Sequence, residues 1–411
     1  IDALSPKAAA IRMAQSSTKS ESMKPDPVPY GTMEDGRLLE TVARRPSRID
    51  ALSPLRFLWT TLIVLRHFYP HEGGTWVDYG TAGVNFFFTL GGFVATLSKV
   101  SKEWPPQTDL RLLPRYATLL RRFAVIYPVY LVSMVFMMVF DTVVPGRSIN
   151  WLQIGSELTM TQAWYPTYFR PSTWNYNLPL WFVSAMATFW LLEEAMFSLA
   201  VLLWRSGRML TWTMIVAVCW TLVSPFSVKS PLYGWSICGG DESPLNYLPE
   251  YFGGVVTAFV VQQRAADGVQ ASAWFASITT LMLLGMFLYR PAEQWCHDEY
   301  WCRDTWVRKI GVLTPVFCIQ LLGLAEGGDP LSRALAVHPL PLLGPLAFPY
   351  YAFQAPVYNV LRTCGLKEWC GGPIQMAILL SCLILVAFVV QRYVQEPAQN
   401  AIIKFAKSIE R

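Results

Sequence analysis

From residue 54 onwards the chain alternates long apolar runs with short polar breaks, at 54–70, 82–100, 123–144, 178–204, 209–228, 246–263, 271–289, 306–324, 336–362 and 373–393. Each run approaches or exceeds the ~17–20 residues that an α-helix needs to cross the hydrocarbon of a bilayer. Inside lipid every backbone N–H and C=O must be satisfied within the protein, which favours helices for runs of this length. The pattern therefore predicts an all-α fold, a polytopic membrane helix bundle with about ten transmembrane helices. The 336–362 block holds Pro339, Pro341, Pro345, Pro349 and Pro356, so it is expected to be broken or kinked. Trp151 to Met160 is apolar but short and carries Glu157, which reads as an interfacial or re-entrant piece.

Residues 1–48 differ, being rich in Ser, Lys, Ala, Pro and Glu and poor in large apolar residues. Such a stretch cannot bury enough surface to fold alone, and it contains no apolar run of the kind a secretory signal needs. The expected organisation is a disordered cytosolic tail at 1–48, a membrane domain at 49–400 and a cytosolic C-terminal tail at 401–411. Ile-Asp-Ala-Leu-Ser-Pro occurs at both 1–6 and 49–54 and reads as a local duplication, because nothing else recurs with that period.

Composition agrees with the pattern: 53% of residues are hydrophobic and only 15% charged, where a soluble chain would carry about a quarter charged. Placing both termini in the cytosol puts Lys99, Lys102, Arg111, Arg115, Arg121, Arg122, Arg205, Arg208 and Arg264 on the same side, as the positive-inside rule requires. The net charge of +5 is accounted for by these loops and tails and carries no nucleic-acid signature. Cys219, Cys318 and Cys382 fall within spans as packing residues, while Cys238, Cys296, Cys302, Cys364 and Cys370 fall in loops on the non-cytosolic side. Disulfides are the expected use there, with Cys296–Cys302 and Cys364–Cys370 the natural local pairs. Zinc competes poorly, since there is no CxxC spacing and only four His are present, so no metal site is expected.

The costliest polar groups within apolar runs are Arg56, Arg66 and His67, then Arg121 and Arg122, then Glu193 and Glu194. Ten residues separate Arg56 from His67 in the first run, which places them roughly 16 Å apart along a helix. His67 suits a proton acceptor that activates a hydroxyl, against the plainer reading of an interfacial His beside a snorkelling Arg66. Arg121 and Arg122 open the third run and serve equally as a membrane anchor. Glu193 and Glu194 have no cation nearby in sequence, so an ion pair with another helix is expected. Gly91-Gly92 reads as a helix–helix contact through small residues.

In order, these pieces resemble the acyltransferase-3 family, integral-membrane enzymes that O-acylate carbohydrates and other exported molecules. Arg48-Ile-Asp-Ala-Leu-Ser-Pro-Leu-Arg56 through His67 is similar to the family's opening helix. Gly83-Val-Asn-Phe-Phe-Phe-Thr-Leu-Gly-Gly-Phe93 resembles its "GV-x-FF-x-x-SGF" helix, and Arg121-Arg122 with Ile126-Tyr127-Pro128 its "RR…RIYP" start. Asn177-Leu-Pro-Leu-Trp181-Phe-Val-Ser184 resembles the tryptophan motif of the fourth helix. Pro349-Tyr-Tyr-Ala-Phe-Gln-Ala-Pro356 and Gln395-Glu396-Pro397 resemble the closing "Y-x-x-x-H-x-P" and "E-x-P". The chain departs from the pattern at Gly91 (usually Ser), Val125 (usually Arg), Met186 (usually acidic) and Gln354 (usually His).

The resemblance implies acyl transfer, with acyl-coenzyme A, acetyl-coenzyme A above all, as cytosolic co-substrate and no bound cofactor. The acceptor would be a hydroxyl of a carbohydrate or other molecule on the far side of the lipid bilayer. His67 would be catalytic, and Arg56, Arg121, Arg122, Tyr127 and Trp181 would bind the acyl donor or substrate. The alternative from another class is a multi-pass transporter or an inactive membrane scaffold, but no two-half internal repeat of the transporter kind is present. The membrane-bound O-acyltransferases also use an intramembrane His, late in the chain and not in the first helix.

Overall fold

The computed structural model describes residues 49–69, 80, 82–106, 111–143, 151–164, 177–215, 243–289, 313–365 and 372–409. All regular structure among them is helical. We number the helices α1 Leu52–Phe68, α2 Ala82–Val100, α3 Tyr116–Val143, α4 Trp151–Leu158, α5 Trp181–Arg205, α6 Leu248–Ala266, α7 Phe275–Tyr289, α8 Thr314–Glu326, α9 Pro330–Leu335, α10 Ala347–Ala352, α11 Gln354–Thr363, α12 Gly372–Val390 and α13 Glu396–Ile409. Among the described residues, four helical stretches are long and apolar enough to cross a membrane: α2, α3, α5 and the continuous Gly372–Ile409.

Their outward faces stay apolar. Val132, Val135, Phe136 and Val139 of α3, Leu191, Leu199 and Leu202 of α5, and Leu385, Phe388 and Val389 of α12 are all exposed. Water would penalise so much contiguous apolar surface, and lipid does not. With the polar groups turned inward, this is a helical membrane protein. The 151–160 piece forms the short α4, which exposes Trp151 and Leu152 and buries Gln153 and Glu157.

The α2–α6 crossing anchors the interior. A Cβ added at Gly92 would run into the Tyr251 carbonyl, and one at Gly254 into the Thr89 carbonyl. The two backbones thus touch through reciprocal glycines, the close approach that small residues permit. Around this crossing Phe88 stacks on Tyr247 with ring centroids 4.3 Å apart, and Phe189 stacks on Tyr251 at 4.6 Å. On the other side of α2, Trp59, Phe86 and Phe317 join α1 and α8 in a second aromatic cluster.

The 336–362 block is broken, as its prolines predict. A 3₁₀ stretch, Leu340–Leu346, leads into α10 and α11, and Gly344 lies against Ser53 at the start of α1. The end of the chain is helical beyond its apolar run. The last helix does not stop near 393 but passes through a π-helical stretch, Gln391–Gln395, and continues to Ile409 through residues read as a tail. An Arg392–Glu396 pair one turn apart (2.7 Å) and a strongly amphipathic sequence sustain that extension. Cys318, Cys364 and Cys382 carry free thiols, and the backbone N–H of Cys364 closes α11 by bonding back to the Val360 carbonyl; the Cys370 expected to pair with Cys364 is not among the described residues. Cys219, Cys238, Cys296, Cys302 and Cys370, most of the 209–228 run and the 1–48 tail lie outside the described residues.

Asp329 ties three helices together. It caps α9 by accepting from Leu331 N at 2.8 Å, and it accepts from Ser277 N at 3.0 Å and Ser277 Oγ at 2.5 Å in α7, just beyond the end of α8. The side chain is sealed from solvent. Burial pushes its carboxyl up, but the donors of Ser277, Leu331 and Ala276 together outweigh it and hold the group below the ordinary aspartate range. Because the folded value is depressed, this stabilisation is present above the unfolded aspartate value and disappears as pH falls through the folded one. Asp329→Ala is expected to cost about 1–2 kcal/mol at neutral pH, the range of a lost N-cap. Thermal unfolding in detergent should show the gap to wild type closing in acid; a gap that is constant with pH would refute the ionised cap.

Candidate functional site

His67 lies in the last turn of α1, where its chain end turns into the extended Tyr69, and its imidazole is exposed. Its Nδ1 lies 2.7 Å from Oε1 of Gln354, the first residue of α11 and fully buried. Gln354 in turn donates from Nε2 to the Tyr351 carbonyl at 2.9 Å. The neighbouring Phe68 stacks on Tyr358 with centroids 4.3 Å apart, which holds α11 against the end of α1.

Segments far apart in sequence meet around this pair. Asn177, just before α5, donates to the Ala352 carbonyl at 2.8 Å, and the Tyr351 hydroxyl donates to the Pro179 carbonyl. Phe182 at the head of α5 packs edge-on against Phe88 of α2 and Tyr351 of α10. Trp181 leans on Tyr247 at 5.7 Å. Tyr127 reaches from α3 to the Leu158 carbonyl at 3.1 Å and stacks on Tyr130, whose hydroxyl donates to the Glu157 carbonyl at 2.6 Å. Gln395 donates to the Val125 carbonyl at 3.1 Å, three residues before Pro128 within the continuous α3.

The expected ion pairing of Glu193 and Glu194 is present. Lys99 of α2 approaches Glu193 at 3.1 Å and Glu194 at 2.9 Å, while Arg122 of α3 approaches Glu193 at 3.1 Å. Lys99 also sits 5.0 Å over the Phe197 ring. Two cations thus balance two carboxylates where three helices converge, which is the condition for keeping charge in a poorly hydrated place. Arg121 is the exposed neighbour of Arg122, turned roughly 100° around the same helix.

Of the residues singled out from sequence, the structure links His67, Trp181 and Tyr127 through one chain of contacts that runs by Gln354, Tyr351, Phe182, Gln162 and Tyr130. Arg122 stands with Lys99 and the two glutamates. Arg56 is half-buried near the opposite end of α1 from His67, with the Thr60 hydroxyl on its carbonyl at 2.9 Å. Sequence reasoning recorded Gln354 as a departure and missed it as the partner of His67. It also missed Asn177, Tyr351 and the Tyr130–Gln162 pair (3.0 Å). The signal for Gln354 was its place in the proline-broken block, where irregular backbone at membrane depth needs polar partners. Gly91 and Met186, two further departures, adjoin one another: a Cβ on Gly91 would lie 3.1 Å from the Met186 sulfur. Among the described residues no three His, Cys, Asp or Glu side chains are grouped to hold a metal ion.

No curated protein and no solved structure was found to match the chain. A family model described as an acyltransferase domain, that of acyltransferase-3, matches residues 50–392. The matched region runs from the residues before α1 into the π-helical stretch and so contains His67, Gln354 and their neighbours. The match covers most of the chain, which belongs to the acyltransferase-3 family and is an acyltransferase.

Proposed function

We propose that this membrane enzyme transfers an acyl group, acetyl by expectation, from cytosolic acyl-coenzyme A to a hydroxyl of a carbohydrate or other acceptor on the non-cytosolic side. The observation that carries the reading is the His67 imidazole, accessible at its helix end and bound through one ring nitrogen to Gln354, on the same helix as Arg56. The acceptor hydroxyl gives its proton to the imidazole while its oxygen forms the new bond to the thioester carbon. The carbon–sulfur bond then breaks, and the departing coenzyme A thiolate takes the proton back, leaving an ester and a free thiol.

In this reading the chain crosses the bilayer about ten times with both termini in the cytosol, an orientation supported by the bias of Lys and Arg. Arg56 and Arg121 face the polyanionic donor and bind its phosphates through charge-assisted hydrogen bonds. Arg122, with one nitrogen on Glu193, adds positive potential and keeps further N–H donors on its planar head. Tyr127 and Trp181 shape the route towards His67, and the faces of Trp181 and Tyr247 offer apolar plates to a sugar ring.

Purified protein incubated with radiolabelled acetyl-coenzyme A should consume the thioester; a folded protein that leaves every acyl-coenzyme A intact would overturn the reading. Arg56→Lys keeps the charge but loses the guanidinium fork. It is expected to raise KM for acetyl-coenzyme A about tenfold, equivalent to ~1.4 kcal/mol, while saturation by acceptor is unchanged. Unaltered donor saturation would remove Arg56 from the donor site.

A further inference from the structure

The hydrogen bonds around Gln354 determine more than its position. The Tyr351 carbonyl that Gln354 Nε2 meets at 2.9 Å has no proton to give. Turning the amide over would set two acceptors against each other in a place sealed from water, since Gln354 has no exposed surface. The amide orientation is therefore fixed by its hydrogen-bond partners. Oε1 is left facing His67 Nδ1 at 2.7 Å, and an amide oxygen can only accept. The proton between them must belong to the histidine.

We infer that Gln354 is a positioning residue that holds His67 as its Nδ1–H tautomer and so turns the Nε2 lone pair into the proton acceptor of the reaction. The inference rests on the acyl-transfer reading for the word reaction, but not for the tautomer. The anchor is itself braced. The Tyr351 hydroxyl is bound to the Pro179 carbonyl, and the Ala352 carbonyl receives Asn177 Nδ2 at 2.8 Å. The relay thus runs from the entry of α5 through α10 to the end of α1. A neutral amide supplies a dipole and no charge. It orients the ring and strengthens its bond as the imidazolium forms, without fixing a proton on Nε2 beforehand. A ring lacking this partner would share its proton between both nitrogens and present the wrong one to the acceptor part of the time.

The test is nitrogen-15 NMR of the full-length protein in detergent, labelled at its four histidines, with the His67 signals assigned by their loss in His67→Ala. Wild type should show a protonated Nδ1 and an unprotonated Nε2 on the neutral ring. The opposite tautomer in wild type overturns the inference before any variant is made. Gln354→Leu should redistribute the proton towards Nε2 and lower kcat on the order of 10²-fold, with KM for acetyl-coenzyme A unchanged. Gln354→Glu restores an acceptor at the same reach and should restore the Nδ1–H tautomer and most of the rate. An unchanged tautomer in Gln354→Leu, or a Gln354→Glu protein no better than Gln354→Leu, overturns the assignment. The two readings fail separately. The Nδ1–H tautomer in a wild-type protein that consumes no thioester supports the Gln354 contact and overturns acyl transfer.

Discussion

His67→Ala protein, produced at the wild-type level, is expected to lose acyl transfer on the order of 10²–10⁴-fold, the usual contribution of a positioned general base. The expectation follows from where the ring lies. It closes α1, is exposed, and packs edge-on only against its neighbour Phe68 among the described aromatic contacts, so its removal opens no cavity in the core. Its one described hydrogen bond is to Gln354, and water can enter an exposed site to satisfy the orphaned amide oxygen. Stability should therefore change little while the rate collapses. The measurement is turnover of radiolabelled acetyl-coenzyme A by wild type and His67→Ala, each shown to be monodisperse with the same melting temperature. Added imidazole should recover part of the lost rate, because the vacated space faces outward. A variant retaining full transfer would remove His67 from the chemistry whatever the resemblance implies.

The second large effect is structural. Gly254→Leu is expected to destabilise the fold by about 3 kcal/mol, the upper part of the range for overpacking, and to lower detergent melting accordingly. Most forced side chains find a neighbour that can rotate away, but Gly254 faces the Thr89 carbonyl and the Phe93 amide, which are backbone. The α2–α6 crossing must open instead, and with it go the Phe88–Tyr247 and Phe189–Tyr251 stacks that bound the site. Gly92 meets the Tyr251 carbonyl in the same crossing, so Gly92→Ala and Gly254→Ala should combine to less than the sum of their single costs. Gly155→Ala and Gly285→Ala, where an added Cβ meets nothing within 4 Å, are the controls and should be neutral or slightly stabilising. A Gly254→Leu protein as stable as these controls would mean that the crossing is not held by contact between backbones.

The two predictions separate what catalyses from what supports. In the proposed function His67 acts at an exposed helix end, while Gly92 and Gly254 set the distance between helices whose aromatic side chains pack beside it. The Lys99–Arg122–Glu193–Glu194 group belongs with the supports in its geometry, since every charge in it faces an opposite one. In the proposed function it also lends Arg122 to the donor.

How much was legible before the structure depends on the physical range of each feature. Helical character, the proline-broken block, the placement of Arg56 and His67 on one helix, and the small-residue contact at Gly91-Gly92 could be read because they depend on composition within a few turns of one helix. The ion pairing of Glu193 and Glu194 was legible as a need without a partner: burying carboxylates demands cations, but nothing local says that Lys99 lies 94 positions earlier or Arg122 71 positions earlier. The helical continuation to Ile409 was not legible because the apolar run ends near 393, and what carries the helix on is an ion pair and one amphipathic face.

The sequence by itself determined that this is a membrane protein of helices, that a histidine and an arginine share its first one, and that its motifs follow the order of one enzyme family. Only the tertiary structure decided that Gln354, 287 positions from His67, is the residue that orients it. Hydrophobic periodicity is a local property, set by 3.6 residues per turn and the cost of water contact. A hydrogen bond between two distant side chains is decided only when every helix between them has found its packing.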